Sequence, residues 1–210
     1  MAKNAFKKLS EEKKNIIINA ALIEFGNHSY NESSLNNIVK MTKIPKGSFY
    51  QYFEDKLHMY KYILSLATQE KILFFSKEAE MSKELTIFEL VKVLFRKGID
   101  FATMKPQYAA IGNQFAKEIN EELKKEILKG ANESGESFFI GLVESAKMKG
   151  EINNNLSTKA CVQMFMTLNQ AVLDEMLKHF EMENITQHET ELYEWADELL
   201  DILINGMKSN

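Results

Sequence analysis

The chain has 210 residues, 45% hydrophobic and 27% charged, with a net charge of −4, 2 Pro, 9 Gly and one cysteine, Cys161. That is enough length and apolar content for one large domain or two smaller ones with a substantial core. A lone cysteine excludes an intrachain disulfide and fits a reducing cytoplasm, no 18-residue apolar run offers a membrane span, and the charged opening MAKNAFKKLSEEKK has no apolar secretory segment.

Few Pro and Gly beside many Lys, Glu, Leu, Ile and Met favour helix, so an all-α fold is expected. Charge is unevenly spread. Residues 1–60 hold nine lysines against six acids, or +3, which leaves −7 on the other 150 residues. A basic head on an acidic body is one reading of that asymmetry, and a merely solvated lysine-rich surface is the other.

Residues 1–9 read as a mobile basic arm, with Lys3, Lys7 and Lys8 in reach of phosphates or a minor groove. A helix is predicted from Ser10, a cap residue followed by Glu11 and Glu12 at the positive end of the dipole. Ile16, Ile17, Ala20, Ala21 and Phe25 give it an apolar face, and Gly26 is the expected stop. In Ser33–Lys56, SSLNNIVKMTKIPKGSFYQYFEDK, Leu35, Ile38 and Val39 recur at i, i+3, i+4. Pro45 then sits at the start of a second short helix. Phe49 and Phe53 form its apolar stripe, which leaves Lys46, Ser48, Tyr50, Gln51 and Tyr52 pointing mostly elsewhere. Two short helices joined by a tight turn, the second with a polar outer face, make a helix-turn-helix.

The run PKGSFYQYFEDKLHMY resembles the recognition helix and the following helix start of TetR-type transcriptional regulators, and ALIEFGNHSYNESSLNNIVKMTKI resembles their preceding helices. The resemblance covers roughly residues 10–60, where aromatic, glycine and lysine positions are all in step. Val39 and Thr42 depart from it, standing where Ala is usual, and Lys43 occupies a turn position that is often Gly. A non-Gly residue in a left-handed turn carries a cost. The resemblance implies a domain of residues 1–54 that binds a double-stranded DNA operator and a helical domain of residues 55–210 for effector binding and dimerisation.

Further helices are predicted at about 55–79, 84–103, 107–117 and 120–149, the last containing Gly130, Ser134, Gly135 and Gly141. The two final helices are apolar over wide arcs, about 200° for the last and roughly two-thirds of the circumference for residues 157–180. Helices that wide need burial on two sides, and a second copy of the pair would supply it through a four-helix seam. Met164, Leu168, Val172, Leu173, Trp195, Leu199, Leu200 and Leu203 are the expected seam residues. The family resemblance implies the same homodimer.

Lys46, Ser48 and Gln51 are the candidates for base-edge contacts. By resemblance, Ser33, Ser34, Tyr50, Tyr52 and Lys56 match positions that mostly hold phosphates, Gly47 matches one where small size permits close approach, and Lys43 adds charge near the backbone. Core packing of Tyr50 and Tyr52 is the alternative. For an apolar or amphipathic small-molecule effector, Phe101, Met104, Phe115, Phe139, Met164 and Phe165 could line a pocket or simply pack. Asn169, Glu175 and His179 interrupt the apolar arc, and Glu175 and His179 can also pair with each other. His28, His58, His179 and His188 lack metal-ligand spacing, and no cofactor is expected. Cys161 has no nearby base to make it a nucleophile, so no enzyme activity is expected. A helical protein-interaction module or a small-molecule enzyme without DNA binding is the competing reading; the first predicts a monomer in isolation, the second turnover.

Overall fold

The computed structural model describes residues 2–81, 85–128, 135–179 and 185–207. Among these the chain is all-α and shows no strand. In order, the helices are α1 (Asn4–Lys7), α2 (Glu11–Asn27), α3 (Leu35–Thr42), α4 (Lys46–Tyr52), α5 (Lys56–Met81), α6 (Ile87–Met104), α7 (Pro106–Ala116), α8 (Glu121–Leu128), α9 (Gly135–Met148), α10 (Thr158–His179) and α11 (Ile185–Met207). The expected 120–149 helix is represented by α8 and α9, with Gly130 and Ser134 outside the described residues. Contacts group the chain into two compact units. One is Met1–Leu73 with Lys105–Ile127, which contains all of residues 1–54, and the other is Phe74–Met104 with Leu128–Asn210.

In the first unit, the Ser10 hydroxyl accepts the Lys13 N–H at 3.4 Å, with Glu11 and Glu12 in the first turn of α2. The core joins Ile17, Ala21, Leu22 and Phe25 of α2 to Ile38, Phe49, Phe53 and Tyr60, and takes in Ile111 of α7. Two expectations are corrected. Gly26 does not end α2 but lies inside it, where a Cβ would stand 3.1 Å from that of Ala110; glycine there lets α2 and α7 approach closely. Residues 1–9 are not a loose arm, because Phe6 is buried against Tyr52, Phe53 and Tyr62 and holds α1 onto the unit. Burying one aromatic side chain is worth about 1.5–3 kcal/mol, enough to order a short segment.

In the second unit, α6 begins with a capping box in which Glu89 accepts the Thr86 N–H at 2.8 Å and Thr86 Oγ accepts the Glu89 N–H at 3.3 Å. The Glu151 carboxylate takes the Ile87 N–H at 2.7 Å. Leu90, Val91, Phe95 and Ile99 of α6 share a core with Val143, Phe165, Ala196 and Leu200. A polar ladder runs beside that core. Lys92 pairs with Asp201 at 2.5 Å, Arg96 with Asp197, and Tyr193 donates to Asp100. Positions advance by four on α6 as they retreat by four on α11, so one antiparallel register satisfies all three rungs. Asp197 and Asp201 of α11 are therefore turned toward α6.

Candidate nucleic-acid interface

Lys43 closes α3 in the left-handed conformation (φ 56, ψ 18), the only non-Gly residue with positive φ among those described. The turn is held by Thr42 Oγ, which donates to the Val39 carbonyl at 3.0 Å and accepts the Ile44 N–H at 3.5 Å. Pro45 is the N-cap of α4, one residue before the expected start, and its carbonyl accepts the Ser48 N–H at 2.9 Å. Phe49 and Phe53 face inward with ring centroids 5.7 Å apart. This packing fixes which side of α4 faces out. Lys43, Lys46, Gly47 and Gln51 are exposed, Ser48 is half-buried, and Tyr50 is 50% exposed with its ring edge on Phe49. A Cβ on Gly47 would meet nothing within 4 Å, so nothing in its own chain requires a glycine there.

Four of the expected phosphate ligands, Ser33, Ser34, Tyr52 and Lys56, have contacts within the chain. Ser33 is buried and its hydroxyl donates to the Tyr30 carbonyl at 2.7 Å. Ser34 is the N-cap of α3 without a side-chain cap bond, and its N–H is held by the buried Glu24 carboxylate at 2.7 Å, which also accepts from Asn37 Nδ2 at 3.3 Å. Lys56, half-buried, lies with its Nζ against the loop before α3, donating to the Tyr30 carbonyl at 2.6 Å and the Ser33 carbonyl at 3.0 Å. Tyr52 is half-buried and packs edge-on against Phe6 at 6.0 Å. Lys3, expected in the arm, anchors α4 through its own N–H to the Tyr52 carbonyl and its Nζ to the Tyr50 carbonyl, both 3.1 Å. Sequence reasoning missed Glu24 and Phe6 as organisers of this face. A lone Phe in a charged stretch was the available signal for Phe6; Glu24 had none.

The effector candidates do not all share one place. Phe101, buried, meets Phe74 at 5.4 Å, and Phe139 stacks on the buried Phe165 at 6.2 Å, all in the second unit. Phe115 packs in the core of the first unit. Met104 is 67% exposed and Met164 is exposed, so neither lines an enclosed space in this chain. Asn169 and Glu175 are half-buried, and the side chain of His179 is outside the described residues, as is His188. A cleft of about 330 Å³ opens among Leu85, Ile87, Leu90, Leu142, Ala146 and Lys149, none of them an expected effector residue. The expected seam residues are not all exposed. Val172, Leu200 and Leu203 are buried within this chain, Leu200 completely. Burial pushes the Cys161 thiol above its ordinary pKa, with Lys147 opposing. Among the described residues no group of His, Cys, Asp or Glu could hold a metal, and no helix is long and apolar enough to cross a membrane.

A small helical head, with a short second helix anchored by its phenylalanines and presenting lysine, glycine and glutamine outward, is that of a helix-turn-helix regulator. Residues 17–63 match the family model for bacterial regulatory proteins of the tetR family. The chain is 26% identical over 178 residues to the HTH-type transcriptional repressor BepR of Brucella suis biovar 1 (strain 1330), covering 79% of this chain and 81% of that protein. Its fold is similar to that of a TetR family transcriptional regulator from Chloroflexus aurantiacus J-10-FL, with a TM-score of 0.78, 23% identity and full coverage of both chains. It is also similar to the regulator FadR from Bacillus subtilis in complex with stearoyl-CoA, with a TM-score of 0.66, 20% identity and coverage of 91% and 98%. Residues 17–63 thus match the tetR family, and the fold of the whole chain is similar to that of TetR family regulators.

Proposed function

We propose that the chain is a homodimeric repressor that binds a near-palindromic operator in the cytoplasm and is released by an amphipathic molecule with a long apolar chain. The observation that carries the DNA part is the outward face of α4. Lys46, Gly47 and Gln51 are exposed together, while Phe49 and Phe53 hold the helix from behind. Lys46 and Gln51 carry the donors that read base edges, with Ser48 beside them, and Lys43 and Tyr50 flank them for phosphates. Two such heads related by a twofold axis require half-sites spaced by whole helical turns.

Dimerisation is supported by a row of partly exposed apolar side chains. Trp195, Leu199 and Ile202 on α11 and Met164 and Leu168 on α10 follow three- and four-residue spacing, and Ile202 is 71% exposed. Leu173, half-buried, belongs to the same set. The effector class is supported by the stearoyl-CoA bound to the similar FadR and by the aromatic-rich interior of the second unit, where Phe74 meets Phe101 and Phe139 stacks on Phe165. The protein works by binding and catalyses nothing. The test is titration of the protein–operator complex with stearoyl-CoA and with CoA alone. Release by the first and not the second supports the reading; an unchanged complex with both refutes the proposed effector class.

A further inference from the structure

Lys56 opens α5 directly after the recognition helix. An ammonium has three N–H donors, and this one faces three backbone carbonyls of a single loop. The distances are 2.6 Å to Tyr30, 3.0 Å to Ser33 and 3.4 Å to Asn31, the last a weak contact. The Nζ also sits 4.4 Å from the centroid of the Tyr30 ring. The loop is built to receive it, since the Tyr30 carbonyl already takes the Ser33 hydroxyl and Ser29 is bonded to Glu32 at 2.7 Å. Burial pushes the ammonium below the ordinary lysine pKa, and the nearby Glu24 opposes that shift. Glu24 in turn holds the first N–H of α3 through Ser34.

We infer that Lys56 is a positioning residue for the DNA-reading head and not a phosphate ligand, its ammonium clasping the loop before α3 to the start of α5. The clasp joins the two ends of the segment that carries α3 and α4, so the recognition helix is held from both sides. Phosphate neutralisation then falls to a lysine that is exposed beside the turn, Lys43. This inference rests on the DNA-binding reading above.

Each phosphate neutralised on duplex DNA steepens the plot of log affinity against log salt by about 0.9. In a dimer, loss of one phosphate-binding lysine per subunit should flatten the slope by about 1.8. The experiment has two arms. In the first, the wild-type protein, free and bound to a duplex selected from random sequence, is treated with limiting acetic anhydride, and acetylation is read lysine by lysine by mass spectrometry. Lys43 and Lys46 should react in the free protein and be protected by the duplex, whereas Lys56 should react slowly in both. Fast reaction of Lys56 in the free protein overturns the inference. In the second arm, Lys56→Met should lower affinity several-fold at every salt concentration along a line parallel to wild type, while Lys43→Met flattens the line. A flattened slope for Lys56→Met also overturns it. If that variant does not fold, the acetylation pattern of the wild type decides. If no duplex is selected, the DNA reading and the positioning role both fall, and slow acetylation of Lys56 then marks a purely structural clasp.

Discussion

Replacing Gly47 by alanine separates what the fold wants from what DNA wants. Gly47 is the second residue of α4, and a Cβ there meets nothing within 4 Å. Glycine inside a helix costs about 0.8–1 kcal/mol relative to alanine, mostly through chain entropy. In a first turn about 0.5 kcal/mol of that should be recoverable, so Gly47→Ala should raise the stability of the first unit slightly. DNA binding should move the other way. If the backbone of Gly47 approaches the duplex closely, a methyl group on both subunits holds the helix off the groove, and affinity should fall at least tenfold, about 1.4 kcal/mol. Gly26→Ala gives the opposite stability sign, because its Cβ would sit 3.1 Å from Ala110 Cβ and 3.6 Å from the Ile111 amide nitrogen. Overpacking of that kind costs about 1–3 kcal/mol. Denaturant unfolding and a DNA titration of both variants make the comparison. A Gly47→Ala protein that binds as tightly as wild type would refute the close approach.

Other outcomes follow from the rest of the fold. Ile202→Asp, on the exposed row of α11, should convert dimer to monomer in sedimentation with little loss of helix; Leu200→Asp, enclosed in the protomer, should instead unfold the second unit. Tyr193→Phe breaks the Asp100 rung and should cost about 0.5–1.5 kcal/mol in denaturant unfolding, whereas Lys92→Ala, on a largely exposed pair, should cost under about 1 kcal/mol. Burial raises the phenol pKa of Tyr30, Tyr60, Tyr62 and Tyr108 above 10.0, so the folded state favours their neutral forms. Their contribution is complete below pH 10 and is lost as pH climbs from there toward the folded-state values. Tyrosinate absorbance should therefore rise together with loss of helical circular dichroism; free titration near 10 with helix intact would contradict the assigned burial.

Local signals in the sequence carried the reading head well. Ser10 caps α2, and Phe49 and Phe53 orient α4 as their four-residue spacing required, while Lys43 accepts the left-handed conformation at a turn position where the resemblance has glycine. What stayed hidden depends on contacts distant in sequence. Gly26 reads as a helix stop because its partner, Ala110, arrives 84 positions later on α7. Lys56 reads as a surface cation because the carbonyls it meets belong to a loop 23 to 26 residues earlier. The last helix showed a wide apolar arc, but periodicity alone could not divide it between core and surface. Leu200 and Leu203 went inward and Ile202 outward, with the Lys92, Arg96 and Asp100 ladder fixing the rotation.

Selection of bound sequences from random duplex DNA, repeated at two salt concentrations, tests the central claim most directly. The account predicts enrichment of a short inverted repeat whose half-sites lie whole helical turns apart, bound less tightly as salt rises. Failure to enrich any sequence, or binding that ignores salt, would contradict it.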